Sequence, residues 1–337
     1  MAAPTHALRS ARGVGGTAGF LCLALAWTFV SAATSGGSPY GVAGVLLATA
    51  VALTGAAALS GRLRWLPPAI VVGVATVLAV LSGQDIVSSR PLGGPFAYAN
   101  ATGGFYLQAA IAGVMLAGSA PNRWARLAGT IAAAAFAGIV IACGSAAAAM
   151  LLALPVGVYA MFHLSSEKPA VARATFRGMG ALLAIALIGS AVIGAIGTGE
   201  ATGRRGVGGI DERRQALWHD ALTLLRAEPF TGVGPGRFST ESPVARSDAD
   251  ARWAHNGFLQ FGAETGVTGL VLLLLVFMWA IAGLASAVRP DVVTVLGAAA
   301  VVAFGIGASV DYLMHFPALP VAAAALAGTA SIQTFES

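Results

Sequence analysis

Long stretches of the 337-residue chain carry no Asp, Glu, Lys or Arg, among them 13–61, 127–163, 178–199 and 265–288. A helix needs about 20 apolar residues to cross a bilayer, so each stretch holds one or two crossings. Only 10% of the residues are charged, against about 25% in a soluble protein. Lipid offers the backbone no hydrogen-bonding partner, so segments it surrounds must satisfy themselves as helices. The expected fold is an all-α integral membrane protein with about ten transmembrane helices and a long extracytoplasmic loop. The spans fall near 14–33, 40–60, 67–83, 101–120, 127–143, 146–163, 178–197, 266–287, 292–311 and 316–333. The fifth and sixth divide least sharply, at Gly144-Ser145. The many Gly and Ala residues suit close helix packing in lipid.

Basic residues orient the chain. With the N-terminus in the cytoplasm, Arg9, Arg12, Arg62, Arg64, Arg123, Arg126, Lys168, Arg173, Arg177 and Arg289 lie inside, and only Arg90 lies in a short outer loop. This is a strong positive-inside bias. The remaining arginines sit in the long loop, which translocates largely regardless of charge. The expected location is the cytoplasmic (inner or plasma) membrane, with both termini cytoplasmic and the long loop outside. The first span is expected to stay in the membrane rather than be cleaved as a signal peptide. Three segments result: a bundle of about seven spans over 1–197, the outer loop over 198–265, and about three spans over 266–337. The net charge of +5 reflects this topology and does not point to nucleic acid. Cys22 and Cys143 fall in spans and read as small packing residues.

Charged and polar side chains concentrate in the outer loop, so chemistry is expected there or at the span mouths beside it. Asp211 is placed to cap a helix, on which Leu217, Trp218, Ala221, Leu222 and Leu225 form an apolar stripe. Arg213 and Arg214 flank that stripe, where they can bind an anionic group or snorkel to lipid phosphates. The run FTGVGPGRFSTES forces an irregular turn and lacks the Gly-Lys-Ser/Thr ending of a nucleotide loop. If 253–265 is helical, Asn256, Gln260 and Glu264 form one polar stripe with His255 beside it. Such a stripe leading into lipid is costly unless it faces a protein cavity. A histidine there suits acid–base work, because its ordinary pKa lies near neutrality. Asp248-Ala249-Asp250 has a metal-binding spacing that is common by chance. Asn100-Ala101-Thr102 fits a glycosylation sequon, which is also frequent by chance. Asp311 and His315 flank the last outer turn; ionisable and near the membrane face, they can line the same cavity, although boundary residues are the commoner reading.

The run from Arg213 through Trp218, Pro229, Gly232-Val233-Gly234-Pro235-Gly236-Arg237-Phe238, His255-Asn256, Phe258-Leu259-Gln260, Glu264-x-Gly266 and Gly269-Leu270 resembles the O-antigen ligase and O-antigen polymerase superfamily. The segment PFAYANATGGFYL, centred on Asn100, is similar to an Asn-rich element of that family. The resemblance implies a C-type membrane glycosyltransferase. Such an enzyme moves or polymerises undecaprenyl-diphosphate-linked oligosaccharide at the outer face of the membrane. It implies that His255 acts at the acceptor hydroxyl and that Arg213 or Arg214 binds the donor diphosphate. Arg237, Arg90 and Arg204 are further candidates for that contact. Asn100, Trp218, Gly234, Gly236, Asn256, Gln260 and Glu264 are expected to support the site. The partners implied are the lipid-linked donor, a hydroxyl acceptor on a glycan or lipid, the bilayer, and polysaccharide-assembly proteins. No metal or other cofactor is required, since guanidinium groups can take the electrostatic role. One departure stands out: in Cys143-Gly144-Ser145-Ala146-Ala147, alanine occupies the place of a family arginine. Ligase and polymerase are not separated by sequence. A transporter or flippase of lipid-linked glycans and a non-catalytic assembly partner are the rival readings. The first lacks the midplane ionisable residues such a protein needs; the second draws on the missing arginine.

Overall fold

The computed structural model describes residues 3–61, 63–82, 94–197, 212–248, 251–287 and 290–331. Among them every regular element is a helix. The first half supplies α1 (Ala3–Ser35), α2 (Tyr40–Leu59), α3 (Leu66–Leu81), α4 (Ala99–Ser119), α5 (Arg123–Ala142), α6 (Ala146–Leu151), α7 (Ala153–Leu164) and α8 (Lys168–Ile196). The segment between α8 and the next long helix carries α9 (Glu212–Ala227), α10 (Phe238–Glu241) and α11 (Pro243–Ser247). Then come α12 (Gly257–Ala285), α13 (Val292–Val310), a 3-10 turn at Leu313–His315 and α14 (Ala318–Ser331).

All ten expected spans coincide with helical segments. Among the described residues, eight segments are long and apolar enough to cross a membrane: Gly13–Ser35, Tyr40–Leu59, Ala99–Ser119, Arg123–Ala142, Ala146–Leu164, Lys168–Ile196, Gly257–Ala285 and Val292–Val310. The other two, α3 with 16 residues and α14 with 14, reach about 24 and 21 Å at 1.5 Å per residue, short of a ~30 Å hydrocarbon core. The sixth span is broken between Leu151 and Ala153, where Pro155 cannot donate to the Leu151 carbonyl.

The bundle is arranged around α4 and α13. Of their most apolar windows 78% and 89% are buried, against less than a third for the other six. Small residues permit the tightest contacts. A Cβ on Gly113 of α4 would lie 2.8 Å from the Gly129 carbonyl oxygen of α5, and one on Gly129 would lie 2.7 Å from that of Gly113. The two backbones therefore touch, which maximises dispersion contact where lipid supplies no hydrophobic drive. The Arg64 guanidinium, ahead of α3, grips the Asp291 carboxylate that caps α13. Asn100, Ser145, His255 and Asp311 collect at the opposite end.

The expected helix over 253–265 is corrected. Helix α12 starts at Gly257, and Asn256 is its N-cap rather than a helical residue. His255 before it has a φ of +50°, a left-handed conformation that no residue of a right-handed helix adopts. The expected span at 266–287 therefore begins nine residues earlier. It is interrupted at Gly266, whose φ of 73° and ψ of −179° suit glycine alone. A Cβ there would sit 2.1 Å from the Phe230 carbonyl oxygen. Asp211, the expected cap of α9, lies outside the described residues. Helix α9 packs its Leu217, Trp218 and Ala221 face on α8 and α12.

Candidate functional site

The His-Asn element is bolted to the end of α13. Asn256 Oδ1 accepts from the backbone N–H groups of Phe258 and Leu259, at 3.1 and 3.0 Å. Its Nδ2 donates to the Ser309 carbonyl at 2.6 Å. The Gly257 N–H donates to the Asp311 carbonyl at 3.1 Å. The indole of Trp218, fully buried on α9, donates to the His255 carbonyl at 3.2 Å. A left-handed non-glycine residue costs about 1–3 kcal/mol, and these four anchors hold it in place.

The imidazole so placed meets a buried carboxylate. His255 Nδ1 lies 3.1 Å from Asp311 Oδ1, which also accepts from the Tyr312 N–H at 2.8 Å. Asp311 Oδ2 accepts from the Tyr98 hydroxyl at 2.6 Å and from Asn100 Nδ2. Arg214 Nη2 approaches the same oxygen at 3.9 Å, and Nη1 donates to the Val310 carbonyl at 3.1 Å. Ser145, the N-cap of α6, donates to Asn100 Oδ1 at 2.8 Å. Burial alone would raise the Asp311 pKa. The hydrogen bond and charge of His255, the Tyr98 hydroxyl and the Arg214 charge outweigh it and hold the carboxyl below its ordinary range. Burial, then the neighbouring Asp311 charge, pushes the Tyr98 hydroxyl up, so it remains a donor.

The reading of Asp311 as a boundary residue is thus corrected: it is 2% exposed and joins five groups. Its polar partners arrive from α4, α9 and the segment before α12, and no spacing in the chain announces that meeting. Asn100, read as part of a sequon, has its amide committed to this cluster. A small cavity of about 30 Å³ lies beside it, lined by Asn100, Gln108, Ser145, Arg214 and Asp311 among apolar neighbours. Ala147 and Ala148 line the same cavity, next to the alanine that departs from the family arginine.

A second polar cluster surrounds Glu264. This carboxylate is 3% exposed and accepts from the Gly236 N–H at 2.9 Å, the Phe238 N–H at 3.3 Å and Gln260 Nε2 at 3.1 Å. Gln260 Nε2 also faces His315 Nε2 at 3.2 Å, and its Oε1 accepts from the Ala254 N–H. His315 Nδ1 lies 3.2 Å from the Tyr312 carbonyl. With the proton on Nδ1, Nε2 is left to accept from Gln260. Burial among protein atoms pushes the His315 pKa down to about 4; the exposed surface of its ring lines a cavity. The glycine turn follows from this cluster. Gly234 N–H donates to the Glu264 carbonyl at 3.0 Å, and Gly234 and Gly236 both hold a positive φ.

That cavity has a volume of about 380 Å³. Its walls come from α1, α2, α12, α13 and α14 and are overwhelmingly apolar, as at Leu46, Leu53, Val276, Phe304 and Ala324. Its polar end is formed by Gly236, Trp253, Gln260, Glu264 and His315. The Tyr312 ring joins the two clusters, 4.7 Å from the His255 ring, 6.4 Å from Trp253 and 6.0 Å from His315.

The three arginines of the described residues expected at a diphosphate are not brought together equally. Arg214 reaches Asp311. Arg213 pairs with Asp248 at 2.9 Å on a half-exposed surface. Arg237 donates to the Ser35 carbonyl at 2.7 Å and pairs with Glu241, so it ties the glycine turn to the end of α1. Arg90 and Arg204 lie outside the described residues, as does Asp250 of the Asp-x-Asp pair. Cys22 and Cys143 are free thiols outside any disulfide, and the Cys143 thiol donates to the Val140 carbonyl at 3.1 Å.

A comparison with curated proteins gives no match. The family model described as O-antigen ligase matches residues 96–274, more than half of the chain. The match runs from the Asn100 element through Arg214 and the His255–Asn256 pair into α12. With its multi-span helical bundle and its polar cluster at the span mouths, this chain belongs to the O-antigen ligase family of glycosyl-transferring membrane proteins.

Proposed function

We propose that the protein transfers or polymerises an undecaprenyl-diphosphate-linked glycan at the outer face of the cytoplasmic membrane, with His255 as the general base. One observation carries this reading: His255 Nδ1 is turned onto the buried Asp311 carboxylate at 3.1 Å. With Nδ1–H donated there, Nε2 keeps its lone pair for a proton. Asp311 fixes the ring and stabilises the imidazolium once formed, as an orienting carboxylate does for a catalytic histidine.

The acceptor hydroxyl oxygen attacks the anomeric carbon of the donor glycan and forms a new C–O bond. Its proton passes to His255 Nε2. The bond from the anomeric carbon to the phosphate oxygen breaks, and the lipid diphosphate leaves with the electron pair. Charge accumulates on that leaving group, and a guanidinium fork matches its oxygens. Arg214 is the arginine best placed for this contact, since it approaches the Asp311 carboxylate beside His255 and lines the small cavity next to Asn100. Arg213, one residue away on the same helix, supplies a second positive charge near the surface. Arg237 supports the site through the glycine turn. Asn100, Trp218, Asn256, Gln260 and Glu264 hold the elements that carry these groups. The orientation with the loop outside rests on the arginine distribution.

The test is the lipid-linked pool in cells that carry His255→Ala, beside cells without the protein. Removing a general base slows transfer about 10²–10⁴-fold. Accumulated single repeat units on the carrier identify a polymerase, and accumulated long chains a ligase. A normal pool and normal surface glycan with inserted His255→Ala protein would refute the role of His255.

A further inference from the structure

The small cavity beside Asn100 has one lining group whose hydrogen bonding is unfinished. Gln108 follows Asn100 by about two turns of α4 and is 1% exposed. Its Nε2 donates to the Ala300 carbonyl of α13 at 3.0 Å. Its Oε1 is buried and meets no donor among the described residues. Turning the amide over does not help: Oε1 would then face the Ala300 oxygen, two acceptors with no proton between them. A buried acceptor without a donor carries its full desolvation penalty, and native structures satisfy such groups with protein or ordered water. Gln108 lines the cavity. With its NH2 committed to Ala300, the oxygen is what it has left to offer an occupant.

Size and charge select that occupant. The volume of about 30 Å³ leaves room for one or two water molecules, each of which needs about 10–15 Å³ of such space, and is too small for a sugar ring or a lipid headgroup. A cation would share the space with the Arg214 guanidinium. The carboxylate there, Asp311, already accepts from Tyr98, Asn100 and the Tyr312 N–H and faces His255. An anion without a proton has nothing to give Gln108 Oε1, which only accepts. A water molecule donates and accepts, and it needs two to four polar partners. Asn100 Oδ1 accepts from Ser145, and Ser145 Oγ accepts from the Ala148 N–H; each oxygen keeps a lone pair among the described residues. We propose that the cavity is an internal water site, in which one or two water molecules donate to Gln108 Oε1 and extend the Asn100–Ser145–Asp311 cluster inward along α4. This site stands whether or not His255 is the general base.

The test is hydroxyl-radical footprinting of the full protein in phosphatidylcholine nanodiscs. A brief X-ray pulse makes radicals from water, and mass spectrometry reads the oxidised side chains. Radicals formed from a bound water oxidise neighbours that bulk solvent does not reach. Leu107 and Leu319 are each 1% exposed and line the small cavity. Leu296 and Leu326 are 0% exposed and line neither this cavity nor the large one. Leu107 and Leu319 are expected to be oxidised well above Leu296 and Leu326, and equal oxidation of all four overturns the inference. Gln108→Leu removes the anchoring oxygen, and oxidation of Leu319 should then fall to the level of Leu296 and Leu326. Oxidation that persists in this variant overturns the inference. The thermal unfolding midpoint in detergent should also fall, because the bond to Ala300 and the anchor of the water are lost together. In a dry cavity the same change would relieve an orphaned oxygen, so a raised midpoint overturns the inference too. If Gln108→Leu does not insert, Ala147→Leu decides in its place: it narrows the cavity from α6, keeps Gln108, and should abolish Leu319 oxidation in the same way.

Discussion

Replacing Asp311 by Asn keeps the shape of the side chain and removes its charge, so it isolates what the carboxylate does for His255. The amide has one good orientation. Its NH2 can turn toward the Oδ2 position, where the Tyr98 hydroxyl can rotate to accept, while Asn100 Nδ2 and, at 3.9 Å, Arg214 Nη2 oppose it. Its carbonyl then still accepts from His255 Nδ1 and from the fixed Tyr312 N–H. The tautomer survives, and the loss is electrostatic. A hydrogen bond to a charged group contributes about 1.5–3 kcal/mol against about 0.5–1.5 for a neutral one, which sets a lower bound of about 1 kcal/mol. Coulomb attraction over 3.1 Å at an effective dielectric of about 20 gives about 5 kcal/mol as an upper bound. Transfer should therefore slow by between about fivefold and a few thousandfold. The assay is glycan release from the lipid-linked donor in proteoliposomes, run for wild type, Asp311→Asn, His255→Ala and the double variant. If Asp311 works through His255, adding Asp311→Asn to His255→Ala changes the rate by less than about threefold. A double variant whose loss is the product of the single losses would refute the coupling. A wild-type rate in Asp311→Asn would refute the role altogether.

Two further outcomes probe the scaffold. Gly266→Ala should lower stability by more than about 3 kcal/mol, because a Cβ at φ 73° meets the Phe230 carbonyl at 2.1 Å; thermal unfolding in detergent measures it, and an unchanged midpoint argues against the kink. His315 has a folded pKa near 4 against about 6.5 when unfolded, so between these values the unfolded chain binds more protons and stability falls as pH drops. Asp311, whose folded pKa is depressed, loses its contribution only at more acidic pH, as its carboxyl protonates. Unfolding midpoints at pH 7 and pH 5 should therefore diverge in wild type and converge in His315→Gln, and equal pH dependence in both proteins would remove His315 as the cause.

The helical membrane bundle was legible from composition and order alone. The charge-free runs could satisfy their backbones in lipid only as helices, and all ten segments are helical. The length of α3 and α14 was not legible, because an apolar run does not say where its last hydrogen bond closes. In the site, His255, Asn256, Gln260 and Glu264 were legible as a local cluster, since they lie within ten residues. Their division of labour was not. Asn256 leaves the stripe to cap α12, and Glu264 turns to the glycine turn at Gly236 instead of to His255.

By itself the sequence determined that polar chemistry gathers at one face of a membrane bundle, because charge is excluded from lipid and must lie at the ends of spans. It also placed a histidine, arginines and a buried stripe in that region. Only tertiary structure decided which groups touch. Asp311 meets Tyr98 and Asn100 across 213 and 211 residues of chain, and Ser145 meets Asn100 across 45. These contacts exist because α4, α6 and α13 end side by side, an arrangement set by packing of small residues between helices. The same packing separates the polar cluster around Asp311 from the larger apolar cavity that ends at Gln260, Glu264 and His315, a division that no run of residues in the chain displays.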